Sequence, residues 1–174
     1  EANGDRIRAE VAAELPDIAD DLANVAIDPP DRSFAETARI QVGGRAVWLR
    51  HLGRGHTDTD IVVEVPDAGV LFAGDLVENG GPPGFGDSYP LDWPETVSRL
   101  LELVRGPVVP GHGAIGDRPF VEAQLEAFLE VARLGREVNA GRLGVEAALA
   151  ASPYGPDLAM PLERTLAQLR GELD

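Results

Sequence analysis

His51, His56 and His112 are the only histidines among 174 residues. His56 stands in Gly53-Arg54-Gly55-His56-Thr57-Asp58, directly before the apolar run Ile61–Val65. His112 stands in Pro110-Gly111-His112-Gly113, directly after the apolar pair Val108-Val109. Between them, Phe72-Ala73-Gly74-Asp75 carries a carboxylate to the end of another apolar stretch. Two neutral imidazoles and one carboxylate are a ligand set for a catalytic divalent metal with an open coordination position. Residue types alone leave a second reading open, in which the Gly-His and Gly-Asp pairs are turn residues and Asp75 closes a loop. His51 lies inside the strand-like segment Ala46–Leu52 and reads as structural.

For three distant side chains to converge, strands must end at a common edge, and the apolar patterning predicts such strands. Ala38–Val42 and Ala46–Leu52 flank Gly43-Gly44 as a hairpin, and Ile61–Val65 and Val70–Ala73 flank Pro66-Asp67-Ala68-Gly69 as a second. Val108-Val109 is a short buried strand. Gly74–Tyr89 is too rich in Gly and Pro for regular structure and reads as a functional loop. Phe85, Tyr89 and Trp93 there either line a pocket for a small, partly apolar substrate or anchor the loop. Asp92 and Glu95 fit an N-cap and its third helical position, opening a helix with Val97, Leu100, Leu101 and Val104 on one face. Pro119 marks another helix start, with Val121, Leu125, Phe128 and Ala132 as its buried stripe. Helical stretches follow at Val145–Ala151 and Pro161–Leu173. Upstream, Ile7, Val11 and Leu15 predict a helix that Pro16 interrupts, with Ile18 and Leu22 continuing it. Its acidic face (Glu10, Glu14, Asp17, Asp20, Asp21) reads as solvated, and Asp28-Pro29-Pro30-Asp31 as a rigid loop. The order predicts an α/β or α+β fold, a sheet covered by helices.

Composition narrows the chemistry. The net charge is −15, from 30 acids and 15 bases. Such a field disfavours nucleic acid and anionic membrane surfaces as partners. Every base is Arg, so Schiff-base lysines and P-loop lysines are excluded. Cysteine is absent, which removes disulfides and thiolate chemistry. No apolar run approaches the length of a bilayer span, and a cytoplasmic location is the expectation.

Gly53-Arg54-Gly55-His56-Thr57-Asp58-Thr59-Asp60 followed by Ile-Val-Val, then Leu71-Phe72-Ala73-Gly74-Asp75, then Pro110-Gly111-His112-Gly113, resembles the second half of a metallo-β-lactamase-fold hydrolase. The likeness runs from about Ala38 to about Phe128 and rests on three motifs in order. It implies the C-terminal half of a four-layer αββα sandwich. It further implies that His56 ligates one metal, His112 a second, and Asp75 bridges them. A hydroxide generated between two cations is the nucleophile in such sites. Zn is the first candidate, with Mn or Fe also suited to the N/O donors. Thr57, Asp58 and Asp60 are candidates to hydrogen-bond the ligands.

The His-x-His-x-Asp-His motif that the superfamily carries upstream is missing. The expectation is therefore a fragment, inactive alone, of a hydrolase acting on an ester, thioester, lactone or similar small substrate. Class B β-lactamases carry Cys at the Asp75 position and Lys three residues on, where this chain has Glu78, which argues against that activity. The second hypothesis is a non-catalytic interaction module. The chain reads as one domain or part of one: residues 1–37 an acidic helical segment and loop, 38–134 the core with the metal motifs, 135–174 the C-terminal helices. An uncovered sheet face predicts a partner, either a missing N-terminal half or a second copy. Ile40, Trp48, Ile61, Val63, Val65, Val70 and Phe72 are expected on that face.

Overall fold

Gly43 and Gly44, at φ 58° and 83°, reverse the chain between β1 (Thr37–Val42) and β2 (Arg45–Arg50). Both angles lie in the left-handed region that a two-residue hairpin turn requires at its centre. In the computed structural model, which describes residues 8–9, 11–25 and 30–173, three more strands follow: β3 (Val62–Val65), β4 (Val70–Gly74) and β5 (Val108–Pro110). They form one sheet in the order β1-β2-β3-β4-β5, antiparallel except for the parallel pair β4–β5. The expected strands are all present, each within about two residues of its predicted ends.

Contacts divide the chain into two units, Glu1–Ser33 and Phe34–Asp174. In the first, residues 8–9 and 11–14 are helical, Pro16–Ile18 form one 3-10 turn, and α1 (Ala19–Ala23) follows. Pro16 breaks the helix as expected, and Glu14, Asp17, Asp20 and Asp21 are exposed. Ile7, Glu10, Asp28 and Pro29 lie outside the described residues.

In the second unit, α2 (Trp93–Leu103) and α3 (Arg118–Asn139) cover one face of the sheet. Val62, Leu71, Ala73 and Val108 from the strands pack there with Trp93, Val97, Leu100, Val121 and Phe128. The two helices are joined at their ends, where Arg118 donates to the carbonyls of Leu101 at 2.8 Å and Val104 at 3.2 Å. The Leu101 carbonyl also accepts from the C-cap N–H of Val104 at 3.2 Å, so Arg118 adds a second donor at this helix end. Downstream, α4 (Val145–Ala151) and α5 (Met160–Leu169) pack on α3 through Leu134, Ala148 and Leu162. The predicted helix over Pro161–Leu173 is shorter, ending at Leu169.

Strand register decides the other face. Val63 pairs with Phe72, Val65 with Val70, Leu49 with Val63, and Ile40 with Val47, so all of these share a side. Ile40, Val42 and Phe72 there are 43%, 56% and 44% exposed. Trp48 does not belong to this face. It pairs with Glu64, which pairs with the buried Leu71, and it lies against the guanidinium groups of Arg39 and Arg50. Ile61 precedes β3 and is not a sheet residue. A mixed sheet with helices packed on one side is what half of an αββα sandwich contains.

One further expectation needs correction. Asp92 is the N-cap of α2 by position, but its side chain caps nothing, because the carboxylate pairs with Arg54 at 2.6 Å. Glu95 turns to Arg99 instead of back to the helix start. The segment after β4 is irregular as expected and alternates between core and surface: Leu76, Val77, Phe85, Ser88 and Tyr89 are buried, whereas Gly80, Gly81, Pro82, Gly86 and Asp87 are exposed.

Candidate metal centre

Topology places four chain segments at one edge of the sheet. β2 and β3 are antiparallel, as are β3 and β4, so the end of β2 and the start of β3 lie beside the end of β4. β5 runs parallel to β4 and ends at the same edge. The β2–β3 connection carries His56, Asp75 directly follows β4, and His112 comes two residues after β5.

The three side chains meet there. Asp75 turns Oδ2 toward His56 Nδ1 at 3.8 Å and Oδ1 toward His112 Nε2 at 3.6 Å. His56 Nδ1 also faces Asp60 Oδ1 at 3.6 Å. Asp60 is itself held, since its Oδ2 accepts from the Thr57 backbone N–H at 2.7 Å. His112 is open to solvent, 72% exposed, whereas His56 and Asp75 are partly covered. His51 lies just past the end of β2 and not inside the strand as expected, and its Nε2 is 3.2 Å from the Asp58 carbonyl in the loop that carries His56. Of the three loop residues expected to hydrogen-bond the ligands, Asp60 faces His56 at 3.6 Å, just beyond hydrogen-bond reach, and the Thr57 backbone holds Asp60. Asp58 contributes its carbonyl, not its carboxylate.

The chemistry of these donors suits a divalent cation in part. Two imidazoles and a carboxylate face one another, with the single carboxylate as the shared partner of two pairs. That differs from three donors closed on one point, and no such closed group of three or more His, Asp or Glu occurs among the described residues. The chain thus presents a partial donor set.

Packing beneath the donors is dense. Gly111 donates to the Gly74 carbonyl at 2.8 Å, and a side chain at this position would run into the Asp75 carboxylate. The start of α2 grips the His56 loop through Thr96, which donates to the Arg54 carbonyl at 2.7 Å, and Arg99, which donates to the Leu52 carbonyl at 3.0 Å. Trp93 is fully buried, stacked on Phe128 at 4.3 Å between ring centres, with its edge toward His56 at 6.2 Å. Phe85, Tyr89 and Trp93 are therefore anchors of the loop and not the walls of an open pocket.

Sequence reasoning treated Glu78 only as a position of unfavourable sign and passed over Asn79, Gln124 and Tyr154. Glu78 accepts from the Gly84 N–H at 2.9 Å, and its own backbone N–H donates to Gln124 Oε1 at 3.2 Å. The Tyr154 hydroxyl is buried without a hydrogen-bond partner among the described residues. Burial pushes its pKa up from the ordinary phenol value, and the nearby Glu78 carboxylate adds to the rise. None of these positions belongs to a periodic pattern. Only the isolated Gln124 on the face of a helix was a visible signal.

The chain is similar to known proteins over much of its length. A metallo-beta-lactamase type 2 from Bacillus sp. (strain 170) is 33% identical over 96 residues, covering 52% of this chain and 37% of that protein. The metallo-beta-lactamase type 2 of Bacteroides fragilis is 28% identical over 98 residues, 53% of this chain and 39% of its own length. The chain spans about two fifths of the length of these curated relatives. Among solved structures, a metallo-beta-lactamase from Pontibacter korlensis superposes with a TM-score of 0.55 at 28% identity, over 70% of this chain and 54% of that one. The sec-alkyl sulfatase PisA1 superposes with a TM-score of 0.68 over 85% of this chain and 28% of its own, at 14% identity, a likeness of fold. The sequence model of the metallo-beta-lactamase superfamily matches residues 3–138, beyond the span where the motifs carried the resemblance. This chain belongs to the metallo-beta-lactamase superfamily.

Proposed function

We propose that the protein carrying this chain is a metal-dependent hydrolase of an ester, thioester, lactone or similar small substrate, with His56, Asp75 and His112 among its metal ligands. The observation that carries this reading is the division of the Asp75 carboxylate between His56 and His112, one oxygen to each. A divalent cation bound there, zinc first among candidates, would polarise a carbonyl and lower the pKa of a water molecule. Asp75 would hold the two imidazoles at a common distance and accept a proton at its free lone pairs. Asp60, held by the Thr57 N–H and facing His56 Nδ1 at 3.6 Å, would close on the His56 ring to orient it. Three donors do not complete a two-metal site, so the chain by itself is expected to be inactive. The remaining ligands would come from a further part of the protein, seated on the open face at Ile40, Val42 and Phe72.

The test is turnover by the full-length protein of a panel containing an activated ester, a thioester, a lactone and a β-lactam, with and without chelator. Chelator-sensitive turnover of one of the first three, lost in Asp75→Asn, is the expected result. Zinc-loaded protein with no chelator-sensitive turnover favours the non-catalytic interaction module. Preferential turnover of the β-lactam would move the substrate class to that of the curated relatives.

A further inference from the structure

In the loop after β4, two neighbouring residues make bonds that lead to opposite sides of Asp75. Glu78 Oε1 accepts from the Gly84 N–H at 2.9 Å and closes Asn79-Gly80-Gly81-Pro82-Pro83 into a ring. Gly84 in turn lies against His56: a Cβ there would sit 3.3 Å from Nε2, 3.6 Å from Cδ2, and 3.7 Å from Glu78 Oε1. The closed segment is thus a wall at the Nε2 edge of the ring, across from the Nδ1 that faces Asp75 and Asp60.

Asn79 reaches the other way. Its backbone N–H donates to the His112 carbonyl at 2.9 Å, and its Nδ2 donates to the Ala114 carbonyl at 2.9 Å. Gly113 between them has φ 86° and approaches the Asn79 carbonyl so closely that no side chain fits. Both residues start from a fixed base, because the Gln124 amide on α3 pairs with the N–H and the carbonyl of Glu78.

We infer that Glu78 and Asn79 are positioning residues that set the two imidazoles on either side of Asp75, Glu78 acting on His56 through Gly84 and Asn79 on the His112 turn. A ring that is held needs no ordering when it binds a ligand, and loss of such support costs about 10–100-fold in metal affinity. The consequence for metal rests on the hydrolase reading; the placement of the rings does not.

The experiment records imidazole ring NMR signals of the metal-free protein at one pH, then zinc affinity by calorimetry, for Glu78→Ala, Glu78→Gln and Asn79→Ala. Glu78→Ala is expected to move the His56 signals and spare those of His112. Asn79→Ala is expected to do the reverse, with His51 unmoved in both. Each should weaken zinc binding about tenfold or more. Glu78→Gln retains an acceptor oxygen and should keep the signals and affinity of the unsubstituted protein. If Glu78→Ala does not fold, Glu78→Asp, one methylene too short to reach Gly84, gives the same reading. Unchanged ring signals in both variants, equal shifts of both rings in either, or failure of Glu78→Gln to rescue would overturn the inference. An unsubstituted protein that binds no zinc removes the hydrolase reading, while the ring signals still decide this one.

Discussion

The indole Nε1 of Trp93 donates to the backbone carbonyl of Leu76 at 3.0 Å, and both residues are fully buried. Leu76 is the residue after Asp75, so the first turn of α2 holds the strand end that carries the shared carboxylate. The same indole stacks on Phe128 from α3. One side chain therefore connects both covering helices to the edge of the sheet where the donors meet.

Trp93→Phe keeps most of the packing but leaves the Leu76 carbonyl without a donor, a loss of about 1–3 kcal/mol. Trp93→Ala removes the ring and opens a cavity, at about 3–5 kcal/mol. Urea titration of the two variants should order them in this way. The Phe variant should also weaken zinc binding by more than its stability loss explains, since the Asp75 strand end is loosened.

The strands, and the meeting of His56, Asp75 and His112 at one sheet edge, were legible because glycines and prolines punctuate short apolar runs, and each of the three lies within a few residues of such a run. Asp92 misled because local spacing fits a helix cap, while a distant partner, Arg54, takes the carboxylate. The burial of Leu76, Val77 and Phe85 was hidden because these residues follow neither a helical nor a strand period. Trp48 was assigned to the open face from hydrophobicity alone; register puts it on the opposite side. The bonds of Glu78 and Asn79 join loops, and no repeat in the chain announces a partner 6 or 35 residues away.

Asp75 faces both imidazoles, so its substitution should cost more than that of either histidine. Asp75→Asn is expected to lower zinc affinity beyond the about 10–100-fold typical of supporting residues. His56→Ala and His112→Ala should each remove one pair and leave the other. Calorimetry that finds Asp75→Asn milder than both histidine variants would contradict the shared role.

The open face makes its own prediction. Ile40, Val42 and Phe72 are each more than two fifths exposed and share one side of the sheet with Val63, Val65 and Val70. Soluble monomers rarely leave a contiguous apolar patch above a few hundred Å². The isolated 174-residue chain should therefore self-associate and bind a hydrophobic dye. Val42→Lys with Phe72→Lys should reduce both, as read by light scattering and dye fluorescence. A monodisperse monomer without dye binding would mean that the face is covered.

Tyr154 gives a pH dependence whose sign follows from burial. Its hydroxyl is removed from water beside the Glu78 carboxylate, and both conditions disfavour the phenolate, so its folded pKa is raised. In the unfolded chain the group ionises near its ordinary value of about 10. Below that pH both states hold the proton and stability is unaffected by it. Above about 10 the unfolded state releases the proton first, so stability falls as pH rises toward the folded value. Tyr154→Phe removes this dependence and also removes a buried hydroxyl that lacks a partner among the described residues, so it should be neutral or stabilising at pH 7. Thermal melts from pH 8 to pH 11 should show a steep alkaline decline in the parent and a shallower one in the variant. The absorbance titration of the two tyrosines supplies the independent check. If Tyr154 ionises near the ordinary phenol value of about 10 in the folded protein, the hydroxyl is not held in the buried setting described.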